Sequence, residues 1–205
     1  MSLKSKLNKI AKKLLISDRQ QALLKSYSEK IEEFHYPTYE HSIRVALKSA
    51  EVAKVMEMGI NASRALYYGG LLHDLGKINI DKRILQKKDF DAYDMDEIKS
   101  HTLDGYLMLK NDFPFSALVC LLHHSYQKDG YPKIKSLESK ISMSKVHRYA
   151  RIISLIDCYD AANRNNNRYG KKLNRKEIMQ KMHETYREVM MSKMINLYYM
   201  MKIFK

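Results

Sequence analysis

The chain is organised around one stretch, Gly69-Gly70-Leu71-Leu72-His73-Asp74-Leu75-Gly76-Lys77. An apolar run ends here at His73 and Asp74, whose adjacent imidazole and carboxylate can reach one divalent cation, while a carboxylate can also bridge two. Gly76 predicts the end of this helix, which leaves Lys77 at the mouth of the same site. One alternative stays open at this point, because a buried histidine–aspartate hydrogen bond also occurs in ordinary protein cores.

The composition predicts one helical domain, or one domain with helical extensions. With 45% hydrophobic residues, the 205-residue chain can bury a sizeable core, and its 7 glycines and 3 prolines favour long helices over a turn-rich β fold. Cys120 and Cys158 are too few for a disulfide scaffold, so we expect a reducing cytoplasm. No apolar run approaches the roughly 20 residues that span a bilayer, and the Lys-rich N-terminus lacks the apolar core of a signal peptide.

The net charge of +14 is concentrated at the two ends of the chain. Basic residues outnumber acidic ones in residues 1–30 and again from residue 163 onward, whereas residues 31–162 are close to neutral. A basic rim around a neutral core predicts an anionic partner such as a nucleotide, a nucleic acid or an acidic lipid. Ordinary solvated helix faces are the alternative explanation.

Apolar periodicity predicts helices along the chain and no strand, so the expected fold class is all-α. The third helix is expected to begin at Pro37 with Thr38 as its N-cap, and Asn61 is expected to cap the fourth. The other helices are expected over 3–15, from Asp18 to about Phe34, from Asp94 to Leu109, over Phe115 to Leu122, from Ser144 to Ala162, and as one final helix capped by Asn174.

Seven side chains that can bind a metal lie at or near helix ends or beside apolar runs. They are His41, His73, Asp74, His101, His123, His124 and Asp157. Each histidine taken alone fits a core or capping position. Five of the 8 histidines in such contexts, together with two carboxylates, favour a shared site for a pair of borderline divalent metals.

The order of His41, then His73-Asp74, then Asp157 resembles the HD superfamily of metal-dependent phosphohydrolases. Further segments resemble its HD-GYP subfamily: Gly76-Lys77, Ser100-His101-Thr102-Leu103-Asp104-Gly105, His123-His124, Asp129-Gly130-Tyr131-Pro132 and Ile156-Asp157-Cys158-Tyr159-Asp160-Ala161. The resemblance covers roughly residues 35–175. It implies an HD-domain-like helical bundle in 35–175, with basic N-terminal helices in 1–34 and a C-terminal helix in 176–205.

The resemblance also implies a metal centre and a reaction. One divalent ion would be held by His41, His73, Asp74 and Asp157, and Asp74 would bridge to a second ion held by His101, His123 and His124. Iron or manganese is expected, with nickel, zinc or magnesium as alternatives. Two ions are expected rather than three, because Pro37 stands where members with a third metal carry a carboxylate. The implied reaction is hydrolysis of a cyclic dinucleotide, cyclic di-GMP first, to a linear product by a hydroxide that two metals activate.

The resemblance also assigns catalytic and substrate-binding residues, and the loops around them depart from the family pattern at two places. Asp74 and Lys77 are the expected catalytic residues, and Asp160 is expected to orient a ligand. Substrate-binding residues are expected at Lys77, Tyr131, Arg168 and Lys171. Ser125 stands where the family has Glu, and Asn165-Asn166-Asn167-Arg168-Tyr169 replaces its Arg-Pro-Tyr element.

Two other functions stay open from the sequence. One is an HD-type phosphohydrolase that acts on another nucleotide or phosphoester, and the other is a non-catalytic signalling module that binds a nucleotide. The expected partner is a cyclic dinucleotide or another anionic phosphoester. We expect no stable complex with nucleic acid and no transmembrane segment, and we expect a homodimer that forms through the terminal helices.

Overall fold

The computed structural model describes residues 2–87, 89–134, 139–164 and 172–204, and it confirms the all-α prediction. The described part contains a short 3₁₀ helix, Leu75–Asn79, and ten α-helices: α1 (Leu3–Lys13), α2 (Asp18–Phe34), α3 (Tyr36–Val55), α4 (Ile60–Leu72), α5 (Lys82–Gln86), α6 (Ala92–Leu109), α7 (Pro114–Leu122), α8 (Met143–Asn163), α9 (Arg175–Thr185) and α10 (Val189–Met200). Within these ranges no helix combines the length and the apolar character needed to cross a membrane.

The third and fourth helices begin earlier than the sequence predicts. The N-cap of α3 is His35, and Thr38 lies inside the first turn, where its N–H donates to the His35 carbonyl at 3.0 Å. The prediction of Thr38 as N-cap is wrong because Pro37 fits within the first turn, where a missing N–H costs nothing. Helix α4 likewise begins directly after Gly59, not at Asn61.

Gly76 does not end α4, which stops at Leu72, so the predicted C-cap is also wrong. Gly76 instead lies in the 3₁₀ helix, where a Cβ atom would collide with the backbone of His101 and Gly105 in α6. Its lack of a side chain therefore lets the 3₁₀ helix approach α6 closely. This approach places the chain just after Asp74 against the helix that carries His101.

The C-terminal part forms two helices where the sequence predicts one. Asn174 caps α9 as expected, through a capping box with Glu177. The chain is then extended at Tyr186, whose hydroxyl donates to the Ser154 carbonyl of α8 at 2.6 Å. Tyr186 is buried and bonded to α8, so the chain is extended there, α9 ends at Thr185 and α10 begins at Val189.

Helix α3 lies between the two hydrophobic clusters of the core. Val45 belongs to the cluster that α3 forms with α4, α7, α8 and the C-terminal helices, and the adjacent Ala46 belongs to the cluster that also includes α1 and α2. Phe204 extends the first cluster by stacking on Tyr159 of α8, with ring centroids 4.4 Å apart. Both terminal segments are therefore packed on the central helices.

Candidate metal centre

The fold brings all seven predicted ligands together, and four of them line a cavity of about 1,020 Å³: His41, His101, His124 and Asp157. The sequence separates them widely, but each lies on an element that reaches the same point: His41 on α3, His73 and Asp74 after α4, His101 on α6, His123 and His124 after α7, and Asp157 on α8. His124 is half-buried and the other six are buried.

Three of the imidazoles are fixed in the same way by the turn of helix that precedes them. In each, Nδ1 lies at hydrogen-bonding distance from the carbonyl three residues earlier: 2.9 Å for His73 and Gly70, 2.5 Å for His101 and Ile98, and 2.6 Å for His123 and Cys120. A hydrogen bond that Nδ1 donates puts the proton on that nitrogen and leaves the Nε2 lone pair for a metal.

The two oxygens of the Asp74 carboxylate face different imidazoles. Oδ2 lies 3.4 Å from His73 Nε2 and 3.7 Å from His41 Nε2, whereas Oδ1 lies 3.6 Å from His101 Nε2. The Asp157 Oδ1 atom completes the first group at 2.9 Å from His41 Nε2. Asp74 thus stands between two sets of ligand atoms.

The second set consists of three histidines. The Nε2 atoms of His101 and His123 are 3.4 Å apart, and the rings of His123 and His124 have centroids 4.0 Å apart. Within the described part of the chain, three overlapping groups offer ligand atoms that all lie within 4.8 Å of one another. They are His101, His123 and His124; His41, His73 and Asp74; and His73, His123 and Asp157.

Asp160 holds the His41 ring from behind, as the resemblance implies. Its Oδ2 lies 2.7 Å from His41 Nδ1, and Arg44 donates to both of its oxygens at 2.8 and 3.0 Å. Sequence reasoning missed Arg44. The available signal was its position three residues after His41, which places both side chains on one face of α3.

Burial lowers the pKa of three histidines, His101, His123 and His124, whereas hydrogen bonds to Asp157 and Asp160 raise that of His41. Burial lowers the pKa of His101 to about 3 and that of His124 to about 4. Burial alone would raise the pKa of Asp74, but the neighbouring His73 and Lys77 side chains hold it well below its usual range. Neutral imidazole and ionised carboxylate are the forms that bind metals.

The unpaired atoms of the centre fit a divalent cation. His73 Nε2 and Asp74 Oδ1 are buried and have no hydrogen-bond partner in the structure. An unsatisfied buried acceptor costs roughly 1–3 kcal/mol, and more when the group is charged. A cation that accepts these lone pairs removes this cost, so the donor set suits borderline metals that prefer imidazole and carboxylate.

The predicted substrate contacts are only partly described. Lys77 lines the cavity with its Nζ 2.7 Å from Asp74 Oδ2, and Tyr131 packs on the His124 ring with centroids 4.8 Å apart. Arg168 and Lys171 lie outside the described residues. Ser125, at the position where the resemblance predicts Glu, donates to the Tyr131 carbonyl at 3.3 Å, so it holds the loop that carries Tyr131.

Comparison with known proteins gives curated relatives of one functional class. A cyclic di-GMP phosphodiesterase of Thermotoga maritima is 31% identical over 131 residues, which cover 60% of this chain and 34% of the relative. A cyclic di-GMP phosphodiesterase of Pseudomonas aeruginosa is 30% identical over 129 residues, which cover 60% of this chain and 30% of the relative. A 3′3′-cGAMP-specific phosphodiesterase of Vibrio cholerae is 28% identical, also over 129 residues, which cover 60% of this chain and 28% of the relative.

The chain therefore spans about a third of the length of these relatives. The sequence model of the HD domain matches residues 38–162, which include all seven predicted ligands. This match and the relatives confirm the recognition made from the motifs. The chain belongs to the HD domain family of metal-dependent proteins.

Proposed function

We propose that the chain is a metal-dependent phosphodiesterase that hydrolyses a cyclic dinucleotide, cyclic di-GMP first, to a linear product. The observation that carries this proposal is the position of the Asp74 carboxylate between two groups of candidate ligands, some of which line a large cavity. A volume of about 1,020 Å³ is at the upper end for small-molecule sites, which suits a ligand larger than a mononucleotide. The names of the relatives point to the same substrate class.

The ligand roles that the resemblance implies are part of this proposal. One ion would be held by His41, His73, Asp74 and Asp157, and the second by Asp74, His101, His123 and His124. Metal bound there supplies Lewis-acid polarisation of a phosphoryl oxygen and lowers the pKa of water. The identity of the metal, iron or manganese, and the count of two ions are also part of this proposal.

Residues of the chain itself perform the remaining tasks in this proposal. The Asp74 carboxylate positions both groups of ligands, and Lys77, whose ammonium lies at the same point, adds positive charge where charge grows on the phosphate. The Tyr131 ring, packed against His124, supplies an aromatic surface beside the centre on which a base can stack. Burial of the ligand groups limits the access of bulk water, which strengthens each of these electrostatic contacts.

The test is a product assay on protein loaded with Mn²⁺, or with Fe²⁺ in the absence of oxygen. We expect cyclic di-GMP to be converted to its linear dinucleotide, resolved by anion-exchange chromatography, and 3′3′-cGAMP serves as a second substrate. Chelator-treated protein and a His123→Ala/His124→Ala double variant are the controls and should form no product. Metal-loaded protein that cleaves bis(4-nitrophenyl) phosphate but no cyclic dinucleotide would favour a phosphohydrolase of another substrate class.

A further inference from the structure

The cations that line the cavity differ in what they contact. Lys77 is paired with Asp74, and Lys87 donates to both carboxylate oxygens of Asp94 at 2.7 and 2.8 Å. Arg164, at the end of α8, lines the same cavity, yet its Nε atom is buried and has no hydrogen-bond partner among the described residues. A guanidinium nitrogen that is buried without a partner marks a place where an anion would be bound favourably.

His35 also lines this cavity. Its Nδ1 atom is 2.8 Å from the Thr38 hydroxyl, which occupies one ring nitrogen and leaves Nε2 for a ligand. Burial lowers the pKa of His35, and the positive charges of Lys77, Lys82 and Arg164 lower it further. Two of these cations, Lys77 and Arg164, line the same cavity as His35.

We propose that Arg164, together with His35, binds the phosphate of the cyclic dinucleotide that is not being hydrolysed. The inference rests on the proposed function. A cyclic dinucleotide carries two phosphodiester groups, each with one negative charge, so a second phosphate needs its own contact when the first lies at the metal ligands. The planar guanidinium of arginine can bind phosphate with two parallel hydrogen bonds.

This subsite would make the enzyme selective for substrates with two phosphates. A simple phosphodiester such as bis(4-nitrophenyl) phosphate has only the group that reacts, so it gains nothing from Arg164. The measured quantity is therefore a ratio: kcat/KM for cyclic di-GMP divided by kcat/KM for bis(4-nitrophenyl) phosphate. Substitution of a residue that only shapes the metal centre should change kcat/KM for both substrates by the same factor, so the ratio stays constant.

The experiment compares Arg164→Gln with Arg83→Gln in the metal-loaded 205-residue chain. Arg83 is a matched control because it is exposed, pairs with Asp81 and does not line the cavity. We expect Arg164→Gln to lower the ratio about tenfold or more, since a charged hydrogen bond is lost, and Arg83→Gln to keep the wild-type ratio. Arg164→Lys should recover part of the loss because it retains the charge without the planar geometry. Metal content, measured by mass spectrometry, should be the same in all variants.

A wild-type ratio in Arg164→Gln would overturn the subsite, and so would equal losses with both substrates. If Arg164→Gln fails to fold, His35→Gln decides, because its side chain makes no capping bond to the backbone of α3; an unchanged ratio there also overturns the proposal. Failure of the proposed function gives a separate result. In that case wild-type protein cleaves bis(4-nitrophenyl) phosphate and no cyclic dinucleotide, and the subsite fails with it.

Discussion

Asp74 combines features that rarely occur in one carboxylate. It is 1% exposed, its pKa lies well below the usual range, and its two oxygens face separate groups of imidazoles. A buried anion needs positive charge or hydrogen-bond donors close to it. Lys77 supplies part of that charge to Oδ2, whereas Oδ1 has no hydrogen-bond partner.

These contacts predict different results for two substitutions at neighbouring positions. Asp74→Ala should lose bound metal and activity together, because it removes the carboxylate that stands between both ligand groups. Lys77→Ala should retain metal and lose rate by about tenfold or more, since only the charge on the phosphate is lost. Metal analysis and a phosphodiesterase assay on the same preparations distinguish the two. Full metal content in Asp74→Ala would refute the assignment.

Substitution of Asp160 should weaken metal binding less than substitution of Asp74, because Asp160 acts through the His41 ring. Asp160→Ala removes the partner of His41 Nδ1 and releases Arg44, so the His41 ring loses its fixed orientation. The loss of such a supporting contact typically lowers metal affinity about 10–100-fold. Competition with a chelating metal indicator measures the change. Asp96→Ala is the control, because Asp96 is exposed and pairs only with Lys99; equal affinities in the two variants would argue against this role.

Among the elements, the 3₁₀ helix and α6 meet backbone to backbone. The contact depends on Gly76, and it fixes the chain beside Asp74 against the turn that carries His101. The sequence places a glycine there but does not show what it approaches. A helix C-cap and a close backbone contact both select glycine, so sequence alone could not distinguish them.

The close contact predicts a large cost for one added methyl group. Gly76→Ala should lower the free energy of unfolding by about 3 kcal/mol or more, because the Cβ atom meets rigid backbone rather than a flexible side chain. Gly59→Ala is the matched control, since nothing lies within 4 Å of its Cβ position, and it should change stability by no more than about 0.5 kcal/mol. Denaturant unfolding of both variants gives the comparison. A cost in Gly76→Ala as small as in the control would contradict the packing described here.

At the scale of the whole molecule, the candidate metal centre joins elements from most of the chain. Helices α3, α4, α6, α7 and α8 each contribute at least one ligand or lead directly to one. A ligand that binds these side chains only when they are assembled stabilises the folded state over the unfolded chain. Two expectations from the sequence are not tested by the structure: the homodimer, and the division of the chain into residues 1–34, 35–175 and 176–205.

Metal removal should therefore lower the melting temperature. At a free metal concentration about 100 times Kd the stabilisation is about 2.7 kcal/mol, which corresponds to roughly 5 °C or more for a chain of this size. Differential scanning calorimetry of chelated and reloaded protein measures the shift. The His123→Ala/His124→Ala double variant should show a much smaller shift, and equal shifts in variant and wild type would place the metal elsewhere.

The sequence by itself determined the helical class and identified the candidate ligands that the fold brings together. Helical periodicity depends on local spacing, and the ligand residues could be chosen by type and order because metal coordination needs those side chains. The HD domain model, which matches residues 38–162, confirms the family that the motifs indicate. Helix ends were less predictable: Pro37 allowed α3 to begin earlier, and burial of Tyr186 against α8 divided the last helix.

Only the tertiary structure decided which groups touch. Asp160 lies 119 residues from His41 in the sequence, yet the two side chains are hydrogen-bonded. Arg44 donates to the same carboxylate from a position 116 residues away in the sequence. The direction of each Asp74 oxygen and the unpaired Nε of Arg164 also depend on how helices pack. The physical reason is that sequence spacing fixes contacts within one helix, whereas contacts between helices depend on the packing of the complete core.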